Sequence, residues 1–324
     1  MADSKEFMED LLKQVLPILS YESEEWRPSD KNGDPGGMVL LQPELPTIVV
    51  PDLHGRKEFL PDLMHFSYKD QPVYQQLKSK TIQIVCVGDG MHGERRVAAR
   101  WRIALEEYKK GYEECPSMAE EMTENFQTMA MVMRLKITFP RLFHFLKGNH
   151  ENILDEKLNG NHPFRKFAAE GPMTRAYVEK FFGTDFLMQY DRFEKNLPLM
   201  AVGPSFVITH ARPKQTYPKA DVINYRTNPD LIEGLTWTRN AHATPGSINE
   251  MFEEIMGNNQ GKNTWIVGHN SLTDRYKVWE EESLIEIHNP NLRSIVILDP
   301  SEIFDPEKHI TELPSQDQEG VELV

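Results

Sequence analysis

Apolar side chains recur along residues 5–19 at Phe7, Met8, Leu11, Leu12, Val15 and Leu19. That spacing predicts an amphipathic helix whose stripe docks on the main body. A loop rich in Gly, Pro and Asp follows, around SDKNGDPGG, and then the pattern changes. The short β-branched runs TIVV, TIQIVCV, LFHFL, LMAV, SFVIT, TWIVG, LIEI and SIVIL read as strands. Helical stretches lie between several of them. SMAEEMTENFQTMAMVMR opens on a capping box, Ser117 to Glu120, after Pro116. It puts Met122, Phe126, Met129 and Met133 on one face, read as a core face rather than a partner groove. SINEMFEEIMG repeats the signature with Ser247 and Glu250, and Gly257 suits its C-terminus. No internal repeat is visible. Strands separated by helices early, and close together late, predict an α/β domain with a mixed sheet.

Composition narrows the function without naming it. The 324 residues carry 36 Lys and Arg against 50 Asp and Glu, a formal charge of -14. That excess repels phosphate backbones and anionic lipid, so neither nucleic acid nor a membrane surface is expected as the main partner. A small anionic substrate is still compatible, because a metal ion or an arginine can reverse the local field. The two cysteines, Cys86 and Cys115, form no CxxC pair, which argues against a thiolate zinc site or a disulfide framework. The start, MADSKEFMEDLLKQ, lacks the basic and apolar regions of a signal peptide, and LPLMAVGPSFVIT is too short and too broken to span a membrane. A cytoplasmic protein is expected. Residues 1–44 read as a helix and loop packed on the body, 45–310 as the main domain, and 311–324 as an acidic, disordered tail.

Ligands of open α/β sheets gather at the carboxyl ends of strands, and there the chain is consistent. TIVV runs into Asp52-Leu53-His54, IVCV into Gly88-Asp89, and LFHFL into Gly148-Asn149-His150-Glu151. SFVIT runs into His210, and TWIVG into His269-Asn270. Singly, each is a turn residue or a structural histidine. Together they deliver two carboxylates, an amide oxygen and several imidazoles to one edge. Without thiolate, that donor set suits Mn, Fe or Zn. One carboxylate shared by two ions allows a two-metal site of the kind phosphatases use.

DLHG, GDG, GNHE, the strand-borne His210 and GHN occur in the order of the signature of calcineurin-like metallophosphoesterases, and the chain resembles that superfamily over about residues 45–300. Within it, FLKGNHE, LPLMAV before VITHARP, and LTWTR at 235–239 are similar to elements of the phosphoprotein (Ser/Thr) phosphatase branch. The resemblance implies an α/β/β/α sandwich of two mixed β-sheets flanked by helices. It implies two divalent or trivalent metal ions, Mn2+ first, with Fe or Zn as alternatives. Asp52 and His54 would bind the first ion, Asp89 would bridge both, and Asn149, His210 and His269 would hold the second. His150 would protonate the leaving group. Chemistry agrees: a hydroxide shared by two cations is a nucleophile at neutral pH. In-line attack on phosphorus then needs cations on the non-bridging oxygens and a proton for the departing alkoxide. Arg239 is the first candidate to grip the phosphoryl group.

The chain departs from that family in three places. Relatives with protein phosphatase activity read GDxxDRG, whereas this chain reads GDGMHGER. His92 stands in place of the Asp that orients the catalytic histidine, and Gly93 in place of a phosphate-binding Arg. His92, Glu94 or Glu151 would have to orient His150, or the reaction runs slowly. Arg95 or Arg96 would replace the arginine by loop slack, or both are solvated residues opening a helix. Second, 59 residues separate Asp89 from Asn149, about twice the family's spacing, and the extra material is a helical insert at about 100–138, a lid, a substrate wall or a dimerisation element. Third, GHNS has Ser271 where phosphodiesterases of the superfamily keep a second His, which favours phosphomonoesters.

The remaining histidines carry no motif. His144 reads as structural, His65, His162, His242, His288 and His309 have no context, and Asp299 reads as a cap or turn residue. The expected partner is a phosphorylated substrate: a phosphoprotein, a nucleotide or a small phosphoester. Two other functions compete with a phosphomonoesterase: hydrolysis of dinucleoside polyphosphates or other nucleotides, and a degenerate metallophosphatase fold serving as a binding module.

Overall fold

The β-branched runs become short strands in the computed structural model, which describes residues 4–257, 263–279, 281 and 283–314. In chain order they are β1 (Met38–Leu40), β2 (Thr47–Val50), β3 (Ser67–Tyr68), β4 (Gln71–Pro72), β5 (Gln83–Cys86), β6 (Phe143–Phe145) and β7 (Met200–Val202). Then follow β8 (Phe206–Thr209), β9 (Thr264–Val267), β10 (Lys277–Trp279), β11 (Leu284–Glu286), β12 (Ser294–Leu298) and β13 (Ile310–Glu312). Two mixed sheets result, one ordered β1-β7-β8-β9-β11-β10 and the other β13-β12-β2-β5-β6. The strands β2, β5 and β6 run parallel to one another, as do β8, β9 and β11. Their carboxyl ends therefore leave each sheet on one side.

Side-chain alternation builds the layers. Val49 and Val85 face the other sheet and meet Ile208, Ile266 and Ile285 in an inter-sheet core. Their neighbours Ile48, Val50, Ile84 and Cys86 point outward into a helical layer. On the far side, Met200, Val207, Trp265 and Val267 bury the helices Pro229–Thr236 and Ser247–Met256. The architecture is α/β/β/α, as expected.

The N-terminal helix, Lys5–Ser20, starts at Ser4, whose hydroxyl accepts from Phe7 N at 3.2 Å. Its stripe of Met8, Leu11, Leu12, Val15, Leu16 and Leu19 packs on the helices Pro116–Thr138 and Thr184–Lys195. Residues 1–44 contribute more than a docked helix, because β1 pairs with β7 and extends the sheet. At the other end, β13 pairs with β12, so the sheet runs two residues into the segment expected as tail; residues 315–324 lie outside the described residues.

Both expected capping boxes are replaced by tertiary contacts. Pro116 opens its helix, and Glu107 of the preceding helix Ala98–Lys109 accepts from Ser117 N and Met118 N, both at 2.9 Å. A carboxylate from another helix thus meets Ser117 N–H, the amide that Glu120 was expected to serve, together with Met118 N–H. Likewise Gly246 precedes Ser247, whose hydroxyl donates to Pro213 O instead. Gly257 does end that helix, in the left-handed φ region. The methionine stripe is core: Met118, Met122, Met129 and Met133 are buried against the outer face of the β2-containing sheet. His144 is structural too, with Nε2 3.1 Å from Arg141 O, and Asp299 holds the turn at Ser301. No described helix is long and apolar enough to cross a membrane.

Candidate metal centre

Five strands end at one place. Asp52 and His54 follow β2, Asp89 follows β5, Asn149 and His150 follow β6, His210 follows β8, and His269 follows β9. Their donor atoms converge on Asp89. Asp89 Oδ2 lies 3.7 Å from His54 Nε2 and 3.5 Å from His210 Nε2. Asn149 Oδ1 is 3.0 Å from His210 Nε2 and 2.8 Å from His269 Nδ1. Asp52 Oδ2 is 3.8 Å from His54 Nε2. The Asp89 carboxylate therefore lies close to both His54 and His210.

The backbone bends hard to bring these groups together. His54, Asp89, His92 and His269 all adopt positive φ, between 45° and 65°. Non-glycine residues rarely do so, and they concentrate where function demands it. The flanking glycines leave room for the carboxylates. A Cβ on Gly148 would lie 2.2 Å from Asp89 Oδ1, and one on Gly268 would lie 2.0 Å from Asp52 Oδ1. Glu151 braces the turn, its carboxylate accepting from the backbone N–H groups of Asp89, Gly90 and Gly148 at 2.9, 2.9 and 2.6 Å.

Outer hydrogen bonds fix which imidazole nitrogen faces inward. His54 Nδ1 lies 3.1 Å from His92 O, and His210 Nδ1 lies 3.0 Å from Val87 O. Each Nδ1 donates to its carbonyl, which leaves the Nε2 lone pair pointing into the centre. Metal-binding histidines are oriented in this way. Burial dominates the electrostatics. It pushes the Asp52 carboxyl up and the Asp89 carboxyl well up, Asp89 further because of Glu151 and Asp52. Burial also lowers His54 and His269 to about 3, and His210 well below its ordinary value. Carboxylates disfavoured as anions beside imidazoles disfavoured as cations form a donor set without a cation. A divalent ion would restore the carboxylates as anions and would need the imidazoles neutral, as burial already leaves them.

His288 strengthens the fit, although it carried no motif. It is fully buried, and its Nδ1 faces Asp52 Oδ2 at 3.6 Å with no hydrogen-bond partner among the described residues. Its Nε2 lies 3.0 Å from Glu94 Oε2, a carboxylate–imidazole pair of the kind that orients metal ligands. Asp52, His54 and His288 can together hold one ion, and Asp89, His210 and His269 another. A signal for His288 existed in the sequence, since LIEI delivers it just past β11 to the same edge. The donor set therefore fits two ions of the Mn, Fe or Zn type.

His150 lies against the Asp89 carboxylate, ring Nε2 3.7 Å from Oδ2, while its backbone N–H donates to Oδ1 at 2.9 Å. Its Nδ1 meets His92 Nδ1 at 3.1 Å, and His92 Nε2 meets Thr174 Oγ1 at 3.1 Å. Of the residues considered for orienting His150, His92 is the one that touches it. Glu151 holds backbone instead, and Glu94 holds His288. The Phe164 ring packs on both histidines, centroids 5.6 Å from His92 and 3.6 Å from His150.

The arginines are less gathered. Arg96 is committed to Glu124 at 2.8 Å and to Gly55 O at 3.0 Å, Arg95 is exposed, and neither lies among the donor groups described above. Arg239 is exposed but close enough to His269 to disfavour its protonation. The helix Pro116–Thr138 shapes the GDGMHG loop: Glu121 accepts from Gly93 N at 2.7 Å and Asn125 from His92 N at 3.1 Å.

No protein-family model matches the chain, and no curated protein matches it in sequence. Among solved structures, a serine/threonine phosphatase from Saccharomyces cerevisiae superposes with a TM-score of 0.62 at 12% identity, covering 97% of this chain and 91% of that one. A cold-active protein-tyrosine phosphatase of a psychrophilic Shewanella matches more loosely, with a TM-score of 0.43 at 15% identity over 81% and 77% of the two chains. The first likeness extends over nearly the whole chain and identifies the architecture as the metallophosphoesterase fold.

Proposed function

We propose that this protein is a dinuclear metal-dependent phosphoesterase that cleaves phosphomonoesters in the manner of the Ser/Thr phosphatases. One observation carries the reading: the Asp89 carboxylate lies 3.7 Å from His54 Nε2 and 3.5 Å from His210 Nε2, with His150 Nε2 3.7 Å from the same oxygen. Asp52, His54 and His288 would hold one ion, Asn149, His210 and His269 the other, and Asp89 both. When bound, the ions acidify water and neutralise charge building on phosphorus.

The chain's own residues supply the rest. For His150 to deliver a proton from Nε2, its Nδ1–H must have an acceptor. His92 serves when its own Nε2–H donates to Thr174 Oγ1, leaving Nδ1 as a lone pair. Neutral His92 thus performs the orienting task that relatives give to an aspartate, without that residue's charge. Phe164 excludes water from the same imidazole. Arg239 lies at the exposed rim, where it would meet the phosphoryl oxygens of an entering substrate.

The test pairs metal analysis with a substrate screen on the Mn2+-loaded protein, using phosphopeptides, dinucleoside polyphosphates and sugar phosphates. Two bound ions and turnover of phosphomonoesters that vanishes in a folded Asp89→Ala variant would support the proposal. Diadenosine tetraphosphate turned over far faster than any monoester would replace it with nucleotide hydrolysis. Absence of bound transition metal would replace it with a binding module.

A further inference from the structure

Gly93 leaves the centre short of one cation. A Cβ there would lie 2.5 Å from Val97 Cγ2 and 3.1 Å from Glu121 Oε1, so no arginine fits where relatives keep one. The Gly93 carbonyl is also occupied, accepting from Trp101 Nε1 at 2.8 Å. Arg96 is tied to Glu124 and to backbone carbonyls. A doubly charged phosphoryl group nevertheless needs donors on its non-bridging oxygens.

The loop after GNHE brings another cation to the same place. Lys166 Nζ lies 2.8 Å from Glu94 Oε1, and that oxygen lies 3.8 Å from His54 Nε2. Two contacts thus connect the ammonium to an imidazole of the first donor group. Its position is built into the fold. Glu170, fully buried, accepts from the N–H groups of Lys166, Phe167 and Ala168 and pins the loop that carries the side chain. Phe164, two residues earlier, rests on His150. The Lys166 side chain is 44% exposed and its partner Glu94 only 8%, so the ammonium stands where the buried centre meets solvent.

We propose that Lys166 binds the phosphoryl group of the substrate in place of the arginine excluded at Gly93, with Glu94 as its partner at rest. The inference rests on the phosphoesterase reading above and assigns one of its substrate contacts. A lysine offers a mobile point charge rather than a two-pronged fork, so it binds one phosphoryl oxygen and leaves Glu94 to do so.

The experiment compares wild-type protein, Lys166→Gln and Lys166→Arg, each loaded with Mn2+. Affinity for inorganic phosphate is measured by calorimetry and by competition against p-nitrophenyl phosphate, with metal content and melting temperature alongside. Lys166→Gln should weaken phosphate by about 10- to 100-fold, the loss of one charge-assisted hydrogen bond, and raise KM while metal content stays constant. Lys166→Arg should recover most of that loss. Phosphate affinity in Lys166→Gln equal to wild type overturns the inference. So does a loss confined to melting temperature or metal content, which would mark Lys166 as support for Glu94 alone. If fully metallated wild type neither binds phosphate nor hydrolyses the ester, the phosphoesterase reading falls, and this inference with it.

Discussion

Replacing His288 with alanine separates a metal ligand from a packed core histidine. The imidazole is fully buried, its Nδ1 turned toward Asp52 at 3.6 Å and its Nε2 held by Glu94 at 3.0 Å. Losing such a group should weaken the ion beside Asp52 and His54 by at least the roughly 10- to 100-fold seen when even an orienting partner is removed. Metal stabilises the fold in proportion to the logarithm of its concentration over Kd, so that change subtracts about 1.4–2.7 kcal/mol at saturating Mn2+. For a chain of this length, the melting increment produced by Mn2+ should shrink by about 2–4 °C. The metal-free protein responds differently. There the substitution deletes a bond to Glu94 but also removes a buried nitrogen without a partner, so the two effects oppose. Thermal melts with and without Mn2+, read with metal content, isolate the difference. A His288→Ala protein that gains as many degrees from Mn2+ as wild type would refute the argument.

Three further outcomes are expected. His150→Asn should cut kcat by about 10²- to 10⁴-fold, the usual worth of a general acid, with both ions retained; His92→Ala should share part of that loss, and unchanged kcat in both would remove the proton-donor role. Gly148→Ala should displace Asp89 by roughly an ångström, because its Cβ would start 2.2 Å from Oδ1 and needs about 3.4 Å; metal content equal to wild type would contradict this. The third concerns acid stability away from the centre. Burial alone would raise the Glu22 carboxyl, but Lys136 and Arg27 hold it down to about 2. A carboxyl depressed on folding stabilises above its unfolded pKa of about 4.5 and loses that contribution as pH falls toward 2. Glu22→Gln should therefore cost about 3–5 kcal/mol at pH 7, and the gap to wild type in urea midpoint should narrow steadily below pH 4.5.

What was legible in the sequence was whatever the chain encodes locally. Strand runs followed at once by Asp, Asn or His are short-range features. Five of them converge because parallel strands all present their carboxyl ends on one side. Edge strands were harder to see: β10, with an exposed lysine and valine, has no apolar run, and β3 and β4 are two residues each. The two capping boxes misled because their serines satisfy the local rule, while Glu107 and Pro213 compete from elsewhere in the fold.

Periodicity along the chain predicted an α/β domain with a mixed sheet, and strand-end chemistry singled out Asp52, His54, Asp89, Asn149, His210 and His269 as candidate donors, since both need only neighbours in sequence; the layering into two sheets followed from the family resemblance. Tertiary structure decided the rest. His288 lies 236 residues from Asp52 along the chain, yet folding sets the two within 3.6 Å. The pairing of His92 with His150 depends on Thr174 and Phe164, which arrive from a separate loop and helix. Whether Gly93 could be replaced by a cationic side chain depends on Val97 and Glu121 filling the space above it. Such features depend on distances between segments far apart in the chain, which no local pattern of residues records.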